Sequence, residues 1–401
     1  MNIGIMVSRQ TPDAGGGYTF EDEILKAFFL RREESPHRFF LFGQAPARPA
    51  HLDSTGLPWL SLHRPRSQRR KQKVRRLLEK MKLRAKSQAL DFESYPAFAA
   101  QPLDLICYLT PQIRPIADIP YITTVWDVEH RLQPYFPELS LHGEWEARER
   151  RYREVFARAS YILTPNERGK AEIVTFYGMA PERIRTLAHP TPGFALEEGS
   201  RPAAPRSLAH LGIQGDYLFY PAQFWPHKNH ACLLLALKAL KERYNYRPQL
   251  VLSGSDKGNL AYTRQMAETC GVKDQVIFAG FVSREDLVAL YRQALALTYA
   301  SFGGPENLPP LEAFALGCPV IASSIPGALV QLAEAALLVD PTQPDLWADA
   351  IVQMRDDAGL RQSHIERGRE RAASYISDDF VSDLFDIFDE FAAYRRCWPP
   401  A

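Results

Sequence analysis

The residues best placed to do chemistry form one run: Gly303-Gly304-Pro305-Glu306-Asn307-Leu308-Pro309-Pro310-Leu311-Glu312-Ala313-Phe314-Ala315-Leu316-Gly317, followed by Cys318-Pro319-Val320-Ile321-Ala322. It reads as a loop, a helix that starts abruptly, a glycine stop and a short buried strand. Two glycines permit close backbone approach. Asn307 suits an N-cap, and Pro309 and Pro310 suit a first turn, where a missing N–H costs little. The remaining N–H groups and the positive end of the helix dipole favour a phosphate-bearing ligand. Glu312 lies in the first turns, where its carboxylate can accept two hydrogen bonds from a sugar diol. The same strand–loop–helix pattern is common in α/β proteins, so on pattern alone a nucleotide site and a plain structural turn both stand.

Other constellations accompany it. Gly15-Gly16-Gly17 follows a first apolar run and precedes a helix, which suits a loop whose backbone meets a ligand across a cleft. Asp127, within Thr123-Thr124-Val125-Trp126-Asp127-Val128-Glu129-His130-Arg131, follows a strand at the ligand-binding edge of an open sheet. It can position a sugar hydroxyl or accept an acceptor's proton; the plainer alternative is a cap on the next turn. His130 is a candidate for the cleft, and Glu129 and Arg131 are expected to be exposed. Lys228, in Tyr220-Pro221-Ala222-Gln223-Phe224-Trp225-Pro226-His227-Lys228-Asn229, is a loop lysine of the kind that is ordinarily solvated.

These residues need a scaffold, and the chain supplies the signs of one. Short apolar runs alternate with helical patterns, as in parallel-sheet α/β proteins. Strands are expected at 2–7, 39–42, 103–109, 121–125 and 161–164, then at 217–221, 249–253, 275–279 and 295–299. Helices are expected after the glycine triplet and near 142–159, 231–244, 259–270 and 283–293. The Pro/Ala/Ser/Gly-rich stretch 200–216 marks an interdomain linker. The last helix, about 378–394, carries Phe380, Leu384, Ile387, Phe388 and Phe391 at helical spacing. It either completes the second domain or crosses back to the first.

Composition sets limits. A chain of 401 residues, 46% hydrophobic and 24% charged, is ordinary globular protein with room for two cores. Five scattered cysteines without a Cys-x-x-Cys pair argue for a reducing compartment and against structural zinc. No run is long enough to span a membrane and the N-terminus reads as a strand rather than a signal segment, so a cytoplasmic location is expected. The net charge of +1 hides twelve Lys/Arg and a single acid between Arg64 and Lys86, a local net +11. There Val74, Leu77, Leu78 and Met81 fall at i, i+3, i+4 and i+7, with Arg69, Arg70, Lys71, Lys73, Arg75 and Arg76 among the cations. That is a basic amphipathic helix suited to the anionic inner face of a membrane. The alternatives are a solvated charge run or nucleic acid, and no nucleic-acid-binding motif accompanies it.

The 303–317 run resembles the donor-site signature of family 4 glycosyltransferases, retaining enzymes of the two-domain GT-B fold. That signature is Glu-x7-Glu with Leu-Pro-x-Leu-Glu-Ala around its second Glu. Glu312 matches the second Glu, Gly304 stands at the first, and the run is a variant, Gly-Pro-x-Asn-Leu-Pro-Pro-Leu-Glu, with Glu306 as a stand-in. The segment ending in Lys228-Asn229 is similar to the family's Gly-Arg-x-x-x-x-Lys-Asn, with Ala222 and Gln223 replacing Gly and Arg. Phe278-Ala279-Gly280-Phe281-Val282 resembles its Phe-x-Gly-x-Val, where backbone groups read the nucleobase. Trp126-Asp127 stands where the family often has His-Asp.

The resemblance implies two Rossmann-like domains facing a cleft: 1–205 for the acceptor, 206–377 for the nucleotide sugar, and 378–401 as a returning helix. It implies Asp127, His130 and Glu306 as catalytic residues and Gly16, Gly17, Lys228, Asn307, Leu308, Glu312 and Val282 as donor-binding ones. Lys228 and helix dipoles would replace a metal, so neither metal nor cofactor is expected. The implied partners are a UDP- or GDP-sugar donor and a glycan or lipid-linked glycan of a surface polysaccharide, with no nucleic acid. The competing readings are another GT-B enzyme, such as a sugar-nucleotide epimerase, and a non-catalytic glycan-binding or scaffold protein.

Overall fold

The computed structural model describes residues 1–8, 15–43, 52, 56–62, 102–111, 119–202, 206–304 and 306–399. The basic stretch 64–86, with Arg69, Arg70, Lys71, Lys73, Arg75 and Arg76, lies outside them.

The apolar runs form two parallel sheets. The first comprises β1 (Asn2–Met6), β2 (Arg38–Gly43), β3 (Trp59–Ser61), β4 (Leu105–Tyr108), β5 (Tyr121–Thr124), β6 (Tyr161–Thr164) and β7 (Ile184–Thr186), in the order β3-β2-β1-β4-β5-β6-β7. The second comprises β8 (Tyr217–Pro221), β9 (Gln249–Ser253), β10 (Val276–Gly280), β11 (Ala296–Tyr299), β12 (Val320–Ser323) and β13 (Ala336–Val339), in the order β10-β9-β8-β11-β12-β13. Strands such as β5, β11 and β12 are buried at every residue, as a parallel sheet covered on both faces demands. The strand order reverses beside β1 and β4 in one sheet and beside β8 and β11 in the other. Crevices open at such points, outside the carboxyl ends of the strands. Gly15–Gly17 follows β1, Asp127–His130 follows β5, Lys228 follows β8, and Gly303–Gly304 follows β11. Every candidate loop is thus on a carboxyl edge.

The connection between the sheets differs from the composition-based expectation. Ala195, on the helix Gly193–Ser200, already packs in the second core, and Gly199 lies so close to Ala315 that a Cβ would sit 2.1 Å from its carbonyl oxygen. The chain therefore crosses before residue 193, ahead of the Pro/Ser-rich stretch. It crosses again at the other end. The helix Ser377–Arg395 buries Phe380, Leu384, Phe385, Ile387, Phe388 and Phe391 against the first sheet's core and the helix Gly16–Arg31. Phe380 meets Phe20 edge-on at 5.6 Å and Phe385 meets Phe28 at 5.6 Å. Each buried Phe contributes about 1.5–3 kcal/mol, so this helix fastens the second domain to the first. Arg395 closes its end on Asp104 at 2.7 Å. Among the described residues, no helix is long and apolar enough to cross a membrane.

Candidate functional site

Lys228 is placed by local backbone chemistry. The turn Pro226–Lys228 ends at Asn229, which adopts φ +54°, a left-handed conformation that Asn tolerates better than most residues. Asn229 Nδ2 donates to the carbonyls of Ala300 (3.2 Å) and Pro341 (2.9 Å), and the Tyr220 hydroxyl donates to the Lys228 carbonyl at 2.7 Å. Asn229 thus anchors the loop, and the lysine does the reaching. Lys228 Nζ donates to the Tyr299 hydroxyl at 3.1 Å and to Asn307 Oδ1 at 3.4 Å. These partners are neutral, so the ammonium charge has no carboxylate partner among the described residues.

Asn307 sits at the N-cap of the helix Leu308–Ala315, but its side chain does not cap it. Instead Asn307 Oδ1 accepts from Tyr299 (2.8 Å) and Lys228, and Asn307 Nδ2 donates to the Gly304 carbonyl at 3.2 Å. Gln331, itself buried, clamps the Asn307 backbone from both sides at 3.0 Å. Because Pro309 and Pro310 lack N–H groups, Leu308 carries the first-turn donor. The Leu308 side chain packs with the first domain's core. Across the crevice, a Cβ on Gly16 would lie 3.8 Å from Leu308 Cδ1, and one on Gly15 3.6 Å from Gln223 Nε2. Gly17 follows in the first turn of the helix Gly16–Arg31. The structure therefore brings Gly16, Lys228, Asn307 and Leu308 to one place.

Glu312, one turn further on, is buried, and its Oε2 accepts from the Tyr291 hydroxyl at 2.7 Å. Burial pushes its carboxyl up to about 7, with the tyrosine opposing the shift. Val282 follows β10 on the same carboxyl edge and is half-buried against the second core.

The first-domain residues behave differently from the sequence reading. Asp127 Oδ1 accepts from the Glu129 backbone N–H at 3.0 Å and pairs with Arg148 at 3.2 Å. That is the turn-capping role, given above as its alternative. His130 does not face the cleft. It is fully buried between Trp145 and Tyr152, with Nε2 at 3.2 Å from the Tyr177 hydroxyl and 3.4 Å from Glu149. The helix Glu144–Arg158 presents an aromatic face there and draws the imidazole inward. Arg131 is bonded to Glu149 as well.

Glu306 is also turned elsewhere. Its carboxylate accepts from the His189 backbone N–H at 2.6 Å and from Asn166, so it is committed to the interdomain connection. Burial pushes it up to about 8. The residue the sequence reading missed is Glu129, expected to be solvated. Glu129 Oε1 accepts from the Gly304 N–H at 3.2 Å, across the crevice. Burial, followed by the charge on Asp127, pushes its carboxyl up to about 7. No local sequence signal marks Glu129, because the Gly304 N–H that it accepts lies 175 residues away. Further bonds line the same rim: Gln133 Nε2 to the Phe302 carbonyl (2.7 Å), and Glu138 Oε1 with His227 Nδ1 (2.6 Å) and N (3.0 Å).

Comparison with known proteins fits this geometry. Residues 211–371, most of the second domain, match the family of glycosyl transferases group 1. The D-inositol 3-phosphate glycosyltransferase of Salinispora arenicola is 27% identical over 257 residues, 60% of this chain and 57% of that protein. The O-antigen chain mannosyltransferase B of Escherichia coli is 28% identical over 236 residues, 57% of this chain and 60% of that protein. The matched regions thus span about three-fifths of these relatives' length. The structure of HepE from Anabaena in complex with UDP-glucose superimposes with a TM-score of 0.68 over 97% of this chain and 100% of that one, at 16% identity. The fold is that of GT-B glycosyltransferases, with two Rossmann-like domains facing a cleft.

Proposed function

We propose that this protein is a retaining glycosyltransferase that moves a sugar from a nucleoside-diphosphate sugar to a glycan acceptor. The observation that carries this reading is Lys228. Its ammonium group is held by two neutral oxygens, Tyr299 and Asn307, at the point where β8 and β11 diverge. A cation kept without a carboxylate partner in a crevice is suited to a diphosphate, whose charge grows as it leaves. The glycine loop opposite allows a backbone-close approach by the same ligand. Glu312 and the Val282 backbone would hold the ribose and base, and UDP or GDP both suit such contacts.

In this reading Lys228 and the Leu308–Ala315 helix meet the leaving charge without a metal. Support for a surface-polysaccharide acceptor comes from the O-antigen mannosyltransferase among the relatives. The basic stretch 64–86 would hold a lipid-linked acceptor's membrane at the cytoplasmic face.

A panel of UDP, GDP, UDP-glucose and GDP-mannose, screened by thermal shift and then by release of free nucleoside diphosphate, tests the reading. A ligand bound only by the folded state raises the melting temperature. Stabilisation together with slow hydrolysis of one sugar nucleotide is the expected result. Stabilisation without hydrolysis favours a non-catalytic binding protein, and no stabilisation by any of the four removes the donor site.

A further inference from the structure

Glu129 has more to give than its bond to Gly304. Its Oε1 takes that N–H, while its Oε2 is buried and has no hydrogen-bond partner among the described residues. A buried acceptor left unpaired costs about 1–3 kcal/mol, and more when charged, so its position is best explained by a donor that arrives with a ligand. The same loop holds the Trp126 indole N–H, which is also buried and unpartnered among the described residues.

The surroundings identify the ligand's chemistry. A Cβ on Gly303 would lie 3.4 Å from Glu129 Cδ. Gly304, at φ +104°, would bring a Cβ to 2.6 Å from Asn307 Oδ1. At Gly303 a Cβ would make ordinary contact with Glu129, whereas the left-handed backbone of Gly304 and its closeness to Asn307 require glycine. A continuous set of contacts results: Lys228 to Asn307, Asn307 to Gly304, and Gly304 to Glu129. A cation and a carboxylate, one from each domain, flank the same short loop. A carboxylate repels phosphate and accepts hydrogen bonds from hydroxyls. A ligand spanning the two would be anionic at one end and carry hydrogen-bond donors, as a sugar's hydroxyls do, at the other.

We infer that Glu129 is a substrate-binding residue whose carboxylate, delivered from the first domain, accepts hydroxyl hydrogen bonds from the sugar whose diphosphate Lys228 holds. This rests on the donor reading above. It also makes closure of the cleft part of sugar recognition, since Glu129 reaches the sugar only when it is docked on Gly304. Burial makes this carboxyl a weaker acid than usual, and hydroxyl donors, which favour the ionised form, would draw its titration back downward on binding.

Full-length wild type, Glu129→Gln and Glu129→Ala should be compared by calorimetry with UDP, GDP, UDP-glucose and GDP-mannose. Both variants are expected to bind the free nucleoside diphosphate within about twofold of wild type. They should bind the sugar conjugate about tenfold to a hundredfold more weakly, the range for lost bonds to a charged acceptor. In wild type, affinity for the conjugate should fall below pH 7, and Glu129→Gln should lose part of that dependence, keeping the part that Glu312 carries at the ribose. Equal weakening of diphosphate and conjugate with a lowered melting temperature would make Glu129 a domain clasp only and overturn the inference. Unchanged affinity in both variants, or a wild type indifferent to the sugar, also overturns it while leaving the donor site intact. A wild type that binds none of the four nucleotides removes both.

Discussion

The Tyr291 hydroxyl donates to Glu312 Oε2 at 2.7 Å, joining the helix Arg284–Gln293 to the helix Leu308–Ala315 in the interior of the second domain. Tyr291 is the carboxylate's hydrogen-bond partner among the described residues, and both side chains are buried. The arrangement fixes the orientation of Glu312 before any ligand arrives, which reduces what binding must order.

Two variants separate the ligand role from the packing role. Glu312→Ala should weaken binding of the nucleoside diphosphate while leaving turnover at saturating donor nearly unchanged, because a ribose contact is made equally in ground and transition states. Tyr291→Phe strands a buried carboxyl and should lower folding stability by about 1–3 kcal/mol, read from the denaturation midpoint. Wild-type affinity in Glu312→Ala would place the ribose elsewhere.

Lys228→Ala should lower turnover by about 10²–10³, the scale of losing one preorganised group at a developing charge. Asn307→Ala should cost less, since Asn307 orients the ammonium rather than supplying charge. Chelation with EDTA should leave wild-type turnover unchanged if Lys228 carries the diphosphate charge. Donor hydrolysis measured with each variant, and with EDTA, decides all three.

How far the sequence went is clearest at individual residues. Lys228 and Asn307 were legible because each sits in a short contiguous motif whose spacing to a strand end is fixed by local chain geometry. Glu129 was not, because its burial and its bond come from the 303–304 loop of the other domain. His130 was misjudged for the reverse reason: three residues beyond Asp127, it turns inward onto Trp145 and Tyr152, an aromatic face that a linear reading does not link to it. Strands buried at every residue, such as β5, β6 and β11, were visible in the sequence as continuous apolar runs, whereas β3, β7 and β13 lie at sheet edges and are only partly buried, so no such run marks them.

Asp127 and His130 now carry a stability prediction in place of a catalytic one. Asp127→Asn keeps the turn's hydrogen bond but loses the Arg148 pair, and His130→Ala leaves a void among aromatic rings. His130→Ala should be the more destabilising, by on the order of 2 kcal/mol. Turnover per folded molecule should stay near wild type in both, and a selective loss of turnover with unchanged melting temperature would return either residue to the reaction.

Glu306 gives a pH dependence. Burial raises its folded-state pKa to about 8, above an ordinary carboxyl near 4.5. Between those values the folded protein keeps a proton that the unfolded chain has released, so stability is highest below about pH 4.5 for this group and falls as pH rises toward 8. Glu129 and Glu312, raised to about 7, act in the same direction. His189, lowered to about 4 by burial, acts oppositely, its contribution rising from pH 4 to 6.5. Glu306→Gln keeps an acceptor for the His189 N–H and removes the ionisation. Its melting temperature should match wild type near pH 5 and exceed it above pH 8, and parallel curves would show that Glu306 does not titrate in this range.

The basic stretch makes the last prediction. Twelve cations and a single acid between Arg64 and Lys86 face a remainder of about −10, so the charge is concentrated rather than spread. Each Lys or Arg near an anionic surface contributes about 1 kcal/mol, so half of them engaged would hold the protein there at moderate ionic strength. Val74, Leu77, Leu78 and Met81 are too few to span a bilayer, and binding should therefore be peripheral and reversed by salt. Wild type should sediment with phosphatidylglycerol vesicles at low salt and not with phosphatidylcholine vesicles. Replacing Arg69, Arg70, Lys71, Lys73, Arg75 and Arg76 with Ser should abolish sedimentation and reduce transfer to a lipid-linked acceptor, while hydrolysis of a soluble donor persists because Lys228 is untouched. If wild type stays in solution with anionic vesicles even at low salt, the membrane role is wrong and the charge serves solubility or a protein partner.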